Sequence, residues 1–215
     1  MPAANSGVQT VYADAHLLVF NKPSGLLSVP GRGTDKQDCL SARVQIKYPD
    51  ALIVHRLDMA TSGLMLMARG QGVQTALSKL FEMRAIQKRY VAIVDGHMPA
   101  SADWQLIDLP IALDWPNRPR RIIHADGKPS QTRWRAVQRD SAANSTRVEL
   151  EPITGRSHQL RVHLNALGNP IVGDCLYAPL DVQAKSPRLL LHASALQFTH
   201  PASGGSMVFE NTPEF

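Results

Sequence analysis

The run Leu64-Met65-Leu66-Met67-Ala68 leaves this chain the least freedom. It is apolar, uncharged and short. Such a segment has to be buried, either as a strand covered on both faces or as a piece of buried helix, and periodicity alone does not choose between them. It is entered from a polar, turn-forming stretch, His55-Arg56-Leu57-Asp58-Met59-Ala60-Thr61-Ser62-Gly63, which carries one carboxylate. Asp58 therefore sits on a loop held against a core. Two readings stand side by side: an Asp near Thr, Ser and Gly bonds its own backbone in a turn or cap, and a loop on a rigid scaffold is also where catalytic side chains gather.

The remaining segments supply partners for that run. Residues 1–10 are small and polar without periodicity and read as a flexible arm, with order beginning at Val11. Residues 16–20 (HLLVF) predict a strand that stops at the turn Asn21-Lys22-Pro23-Ser24-Gly25, where Lys22 and Ser24 either face the site or solvate the loop, and solvation is expected of Lys22 taken alone. Residues 38–48 predict a helix begun by Asp38 and ended by Pro49, with Leu40, Val44 and Ile46 as its apolar positions. Residues 71–83 form an amphipathic pattern that buries Val73, Leu77, Leu80 and Phe81. Residues 88–95 alternate as a strand, with Tyr90 near its start as a half-buried aromatic.

Residues 97–121 hold four prolines together with Trp104 and Trp115, which predicts an irregular stretch. Ile122-Ile123 and residues 130–137, on either side of Asp126-Gly127-Lys128, predict a hairpin, and residues 146–150 a further strand. A helix over 158–167 follows, with Leu160, Leu164 and Leu167 on one face and Gly168 just past its end. Arg161 lies close to that face, so it is either snorkelling or paired. Residues 189–198 read as a buried strand holding His192 as a core histidine, and residues 206–209 as a last strand. Many strands with few helices between them predict an α+β fold: a mostly antiparallel, mixed β-sheet core flanked by helices and loops, in one domain over 11–215.

Net charge is +5 with a pI near 9.5, the direction expected of a protein that meets a polyanion. The basic residues concentrate in mid-chain, from Arg84, Lys88 and Arg89 through Arg118, Arg120 and Arg121 to Lys128, Arg133, Arg135 and Arg139, and could form a phosphate-tracking face. Cys39 and Cys175 form no C-x-x-C pair and are expected as buried free thiols. His158 and His163 lie five apart without an H-E-x-x-H, so no metal is expected. No apolar window reaches the length of a membrane helix and the first residues lack the pattern of a secretory signal, which predicts a cytoplasmic protein; no repeated apolar surface is evident, which predicts a monomer.

The string HRLDMATSG (residues 55–63) resembles the H-R-L-D-x-x-T-S-G signature of the RluA-type pseudouridine synthases. The likeness continues, in order, through NKPSGLLSVPG (21–31), KRYVA (88–92), DWPNRP (114–119), PITGRSHQLRVH (152–163), the Leu167-Gly168, Pro170 and Gly173-Asp174 positions, and RLLLHA (188–193). The resemblance implies the pseudouridine synthase fold and the isomerisation of uridine in structured RNA, ribosomal, transfer or both, with neither cofactor nor metal. It implies Asp58 as the catalytic carboxylate, Tyr90 as the aromatic that stacks on the target base and takes its proton, and Arg161 as the cation paired with Asp58. It also implies Arg56 as the residue that takes the flipped base's place or contacts RNA. His55 and Thr61 are read as shaping the loop, Leu191 as packing on the uracil face and Arg118 as part of an RNA-contacting loop. Larger members carry an extra N-terminal RNA-binding domain, which is not expected here because the matching blocks begin almost at once.

The chemistry asks for what those residues offer: a carboxylate beside the ribose, a platform that retains the detached base and a proton acceptor. Because a uridine in folded RNA is inaccessible, it has to be extruded at a cost of a few kcal/mol. Asp58 would either attack C1′ or take the C2′ proton. Two other classes compete: a non-catalytic RNA-binding module, which the 6% aromatic content disfavours, and a glycoside hydrolase, which ordinarily needs two positioned carboxylates where the signature supplies one.

Overall fold

The apolar run is a strand, buried along both faces. In the computed structural model, which describes residues 8–99 and 103–215, the first elements are β1 (Gln9–Ala13), β2 (Leu17–Lys22), α1 (Leu40–Lys47), β3 (Ala51–Ile53), β4 (Ser62–Arg69), α2 (Gln71–Glu82) and β5 (Gln87–Asp95). Then come β6 (Gln105–Asp108), β7 (Ile111–Leu113), β8 (Arg121–Ile123), β9 (Gln131–Asp140), β10 (Ser145–Pro152), α3 (Gln159–Ala166), α4 (Leu180–Ala184), β11 (Leu191–Thr199) and β12 (Ser206–Glu210). They fall into two compact units, Met1–Gln87 with Ala193–Glu214, and Lys88–His192 with Phe215. The α+β class is as expected. Among the described residues no helix is long and apolar enough to cross a membrane.

In the first unit the strand order is β1-β2-β4-β11, with β3 also on β4 and β12 on β11. The β1–β2, β2–β4, β3–β4 and β11–β12 ladders are antiparallel. Alternation along β4 sends Leu64, Leu66 and Ala68 into a core shared with Leu17 and Val19 of β2, Leu77 of α2, and Leu196 and Phe198 of β11. Met65 and Met67 point the opposite way and are equally buried. The α2 helix packs as its pattern predicts, with Leu77 inside and Val73, Leu80 and Phe81 against the same cluster. At Gly63 a side chain is excluded. Its φ is +110°, and a Cβ there would lie 2.3 Å from the Ala193 carbonyl oxygen of β11.

In the second unit the order is β5-β10-β9-β6, with antiparallel ladders throughout, and β7 and β8 form a separate two-stranded ribbon. The 97–121 stretch is therefore less irregular than its prolines suggest: it contains β6 and β7. The hairpin expected between Ile122-Ile123 and 130–137 does not form, because β8 pairs back with β7 while β9 lies between β10 and β6. The turn residue Gly127 explains the difference. A Cβ there would sit 2.6 Å from the Ile111 backbone, so the turn lies against β7 instead of closing a β8–β9 pair.

Four local expectations also change. Strand β1 begins at Gln9, two residues before the expected onset of order, while the first part of the arm expected over 1–10 lies outside the described residues. Cys39, not Asp38, caps α1, its Sγ accepting the Ala42 amide at 3.4 Å, while Asp38 pairs with Arg43. Ile46 and Leu167 are exposed, since each lies in the final turn of its helix or just past it, where the packed stripe has rotated away. Cys39 is buried as expected but Cys175 is exposed, because its neighbour Asp174 takes the inward position.

Two predictions follow from this packing. Gly63→Ala should lower unfolding free energy by roughly 3 kcal/mol or more in urea titration, from the disallowed φ together with the clash on Ala193. The second concerns Asp14, between β1 and β2. Burial raises its carboxyl, but the Leu17 and His16 amides, the Tyr12 hydroxyl and His200 outweigh that and bring it down to about 2. A depressed carboxyl stabilises the fold above its ordinary value of 3.8 and loses that effect as pH falls towards about 2. The gap in urea midpoint between wild type and Asp14→Asn should therefore be open at neutral pH and narrow on acidification.

Candidate active site

The Asp58 loop runs from the end of β3 to the start of β4 and is clamped from the 21–28 segment that follows β2. Antiparallel register places Lys22 opposite Gly63, where the loop enters β4. Lys22 does not solvate the turn as expected. It is fully buried, and its Nζ donates to the carbonyls of Pro23 (2.9 Å), Leu26 (2.7 Å) and Met59 (3.1 Å). A buried ammonium is tolerable only with such acceptors around it. The Gly25 amide also donates to the Met59 carbonyl (2.9 Å), and the Ser24 hydroxyl to that of Ala60 (2.7 Å). On the other side of Asp58, Ser28 Oγ accepts the Leu57 amide (3.1 Å) and donates to the Leu57 carbonyl (2.7 Å).

Asp58 is thus a half-buried carboxylate whose two chain neighbours are both pinned. Its own carbonyl accepts the Thr61 amide (3.1 Å), closing a turn through the main chain. Thr61 is buried. The His55 ring stacks on Phe81 at 4.7 Å and its Nε2 accepts the Leu66 amide, which ties the loop to β4 and α2. Because Nε2 is the acceptor, a neutral His55 carries its proton on Nδ1. Arg56 points into solvent. His55, Arg56, Asp58 and Thr61 therefore share one braced loop in the first unit.

Tyr90, Arg118, Arg161 and Leu191 belong to the second unit. Tyr90 lies half-buried on β5 opposite Leu150 of β10, which in turn faces Trp134 of β9, so these three share one face of the sheet. The opposite face carries a cross-strand ladder, Arg89 and Arg133 on Glu151 and Arg135 on Glu149, with Trp104 over Arg133 and Arg135. Those arginines, expected to track phosphates, have carboxylate partners. Arg118 and Arg120 are instead exposed at the β7–β8 tip, where Arg118 lies 4.7 Å over the exposed Trp115 ring and Asn117 braces the turn through Asp114.

Arg161, on α3, is buried and paired, the second of the two states open to it. Its Nε and Nη2 donate to Asp174 at 2.8 and 2.6 Å. Leu191 is buried at the start of β11, next to the equally buried His192. His163 is enclosed between Thr132 (2.9 Å) and the Leu109 carbonyl (3.0 Å), and burial pushes its pKa down so that it is a neutral structural group. His158 bonds Tyr177 through Nδ1 (2.6 Å). Among the described residues no three His, Cys, Asp or Glu side chains gather as a metal site.

The sequence leaves Ser24 open between the site and solvent and reads Lys22 as solvating the loop, and it gives no role to Ser28, to Tyr177 or to Asp174 as the partner of Arg161. Lys22, Ser24 and Ser28 lie in the block 21–31 and Asp174 at the Gly173-Asp174 position of the family likeness, the one signal that points to them; Tyr177 lies outside these blocks.

Comparison with known proteins agrees with this layout. The family model described as RNA pseudouridylate synthase matches residues 16–166. The chain belongs to that family, and to its RluA type. The match spans the braced loop, Tyr90, Arg118 and Arg161, and stops short of Asp174, Tyr177 and Leu191. A dual-specificity RNA pseudouridine synthase, RluA of Escherichia coli strain K12, is 51% identical over 206 residues, covering 95% of this chain and 93% of that protein. Its namesake from Yersinia pestis is 48% identical, covering 95% and 98%. The solved structure of human RNA Pseudouridylate Synthase Domain Containing 1 superposes with a TM-score of 0.80 at 27% identity, covering 100% of this chain and 87% of that one.

The clamp is testable. Lys22→Met removes the charged donor shared by the Pro23, Leu26 and Met59 carbonyls and should cost roughly 2 to 4 kcal/mol in urea unfolding. Hydrogen exchange at the Gly25 and Thr61 amides should quicken more than at amides of β4.

Proposed function

We propose that Asp58 is the catalytic carboxylate of this RNA pseudouridine synthase, an isomerase that converts specific uridines in structured RNA. The observation that carries the reading is the braced loop: one half-buried carboxylate with its backbone immobilised on both sides, within a matched family span. Immobilisation of this kind holds a reacting group in an attacking geometry without a further entropic cost at the moment of reaction. During isomerisation the N1–C1′ bond breaks, the uracil turns, C5 joins C1′, the C5 proton leaves and N1 ends protonated. Atoms are conserved, and no oxidant or reductant enters.

Tyr90 is the platform for the detached base and the acceptor of its C5 proton. Arg161 pairs with Asp58 and opposes the upward pKa shift that a dry site imposes on a carboxylate. Arg56, exposed on the same loop, fills the gap left by the extruded uridine, and Leu191 packs on the uracil. His55 and Thr61 hold the loop in shape around the substrate. Arg118 and Trp115 meet the RNA through a cation and an aromatic face, the pairing suited to backbones and unstacked bases. The substrates are stem-loops of ribosomal RNA, transfer RNA or both, and the protein works as a cytoplasmic monomer with one catalytic domain over 11–215.

Asp58→Asn should abolish pseudouridine formation in an RNA substrate while keeping most of the binding. Full activity in that variant would remove Asp58 from the mechanism, and release of free uracil would mark a hydrolase instead. Tyr90→Phe should keep stacking yet slow proton removal. Arg118→Ala should weaken RNA binding and lower the salt slope of log Kd by about one. Comparing pseudouridine maps of ribosomal and transfer RNA in cells with and without the gene identifies the substrates.

A further inference from the structure

A guanidinium can approach a carboxylate from many directions, so an arginine used in a reaction has to be aimed. Arg161 is gripped from the side. Asp174 takes Nε and Nη2 together, which fixes both the plane of the group and the direction of its Nη1 edge. The grip is itself rigid, because Asp174 Oδ1 also accepts the amides of Leu176 (3.0 Å) and Tyr177 (3.2 Å). The Tyr177 ring lies 5.1 Å from the Arg161 guanidinium carbon, and its hydroxyl accepts the Arg121 amide of β8 (2.9 Å) and bonds His158 at 2.6 Å. His158, at the start of α3, holds a left-handed φ of 57°, a conformation that a non-glycine residue keeps only where its surroundings hold it there.

Stability alone accounts poorly for this assembly. A fully buried ion pair is often no more stabilising than apolar side chains of the same volume. The structure assigns to Asp174 and Tyr177 the positioning of Arg161, so that these two residues aim the cation paired with the catalytic carboxylate. This rests on the reading of Arg161 given under Proposed function. Tyr177 also joins α3 to the β7–β8 ribbon through Arg121, so the ribbon and the cation share one anchor.

The test uses the full chain, labelled with nitrogen-15, and a stem-loop RNA substrate. The Arg161 Nε–H signal, assigned by its loss in Arg161→Lys, should exchange slowly in wild type and quickly in Asp174→Asn. In the same variant the single-turnover rate should fall on the order of tenfold to a hundredfold with RNA affinity unchanged. Tyr177→Phe keeps the ring over Arg161 and should show a smaller loss of rate, again at constant affinity. Wild-type rates and a protected Nε–H in both variants would overturn the proposal. If Asp174→Asn does not fold, Tyr177→Phe decides by the same split between rate and affinity. An unimpaired Arg161→Met would instead fail the reading of Arg161 itself, a result distinct from an impaired Arg161→Met beside an unimpaired Asp174→Asn.

Discussion

The ammonium of Lys22 inside a cage of main-chain carbonyls is the contact on which the candidate site depends. It joins the end of β2 to the Asp58 loop across the register position where β4 begins. Without a cation there, the Pro23, Leu26 and Met59 carbonyls would lose the charged donor they share, and the 21–28 segment would hold residues 57–60 through the Gly25 amide and the two serines. The serine contacts to Leu57 and Ala60 reinforce the same grip with neutral groups. A loop of this kind is therefore tied to the 21–28 segment at Leu57, Met59 and Ala60.

Charge is handled differently in the second unit. Arg89, Arg133 and Arg135 are balanced by glutamates across the sheet while Arg118 and Arg120 lie at the exposed ribbon tip, so the basic middle of the chain is not one continuous phosphate-binding strip. The ladder explains why a modest net charge tells little about where a polyanion docks. Arg161 is taken inside and paired with Asp174. Burial raises the electrostatic consequence of its orientation, because a low-dielectric surrounding screens it less than water would.

Where local pattern was strong, structure followed it. The β4 run, the α2 stripe, the β5 alternation and the Gly168 stop of α3 all lie within a residue or two of their expected places. Where an element is only three residues long, pattern fails, as with β7 and β8, whose pairing depends on the close approach of Gly127 to Ile111. The loop carrying Asp58 was legible because its polar half abuts an apolar run. Lys22 was misread because a lysine beside proline in a turn looks solvated unless the carbonyls around it are known, and these come from residues up to 37 positions away.

The residue string alone carried the α+β class, the burial of the central strand, the placing of one carboxylate on a loop against that strand, and the family likeness. Those properties depend on periodicity and on chemistry between near neighbours, which a linear text preserves. Folding in three dimensions settled which donor meets which acceptor: Lys22 on Met59, Ser28 on Leu57, Asp174 on Arg161, Tyr177 on His158 and Arg121. Such pairings are properties of distance and direction in space, and no spacing along the chain encodes them.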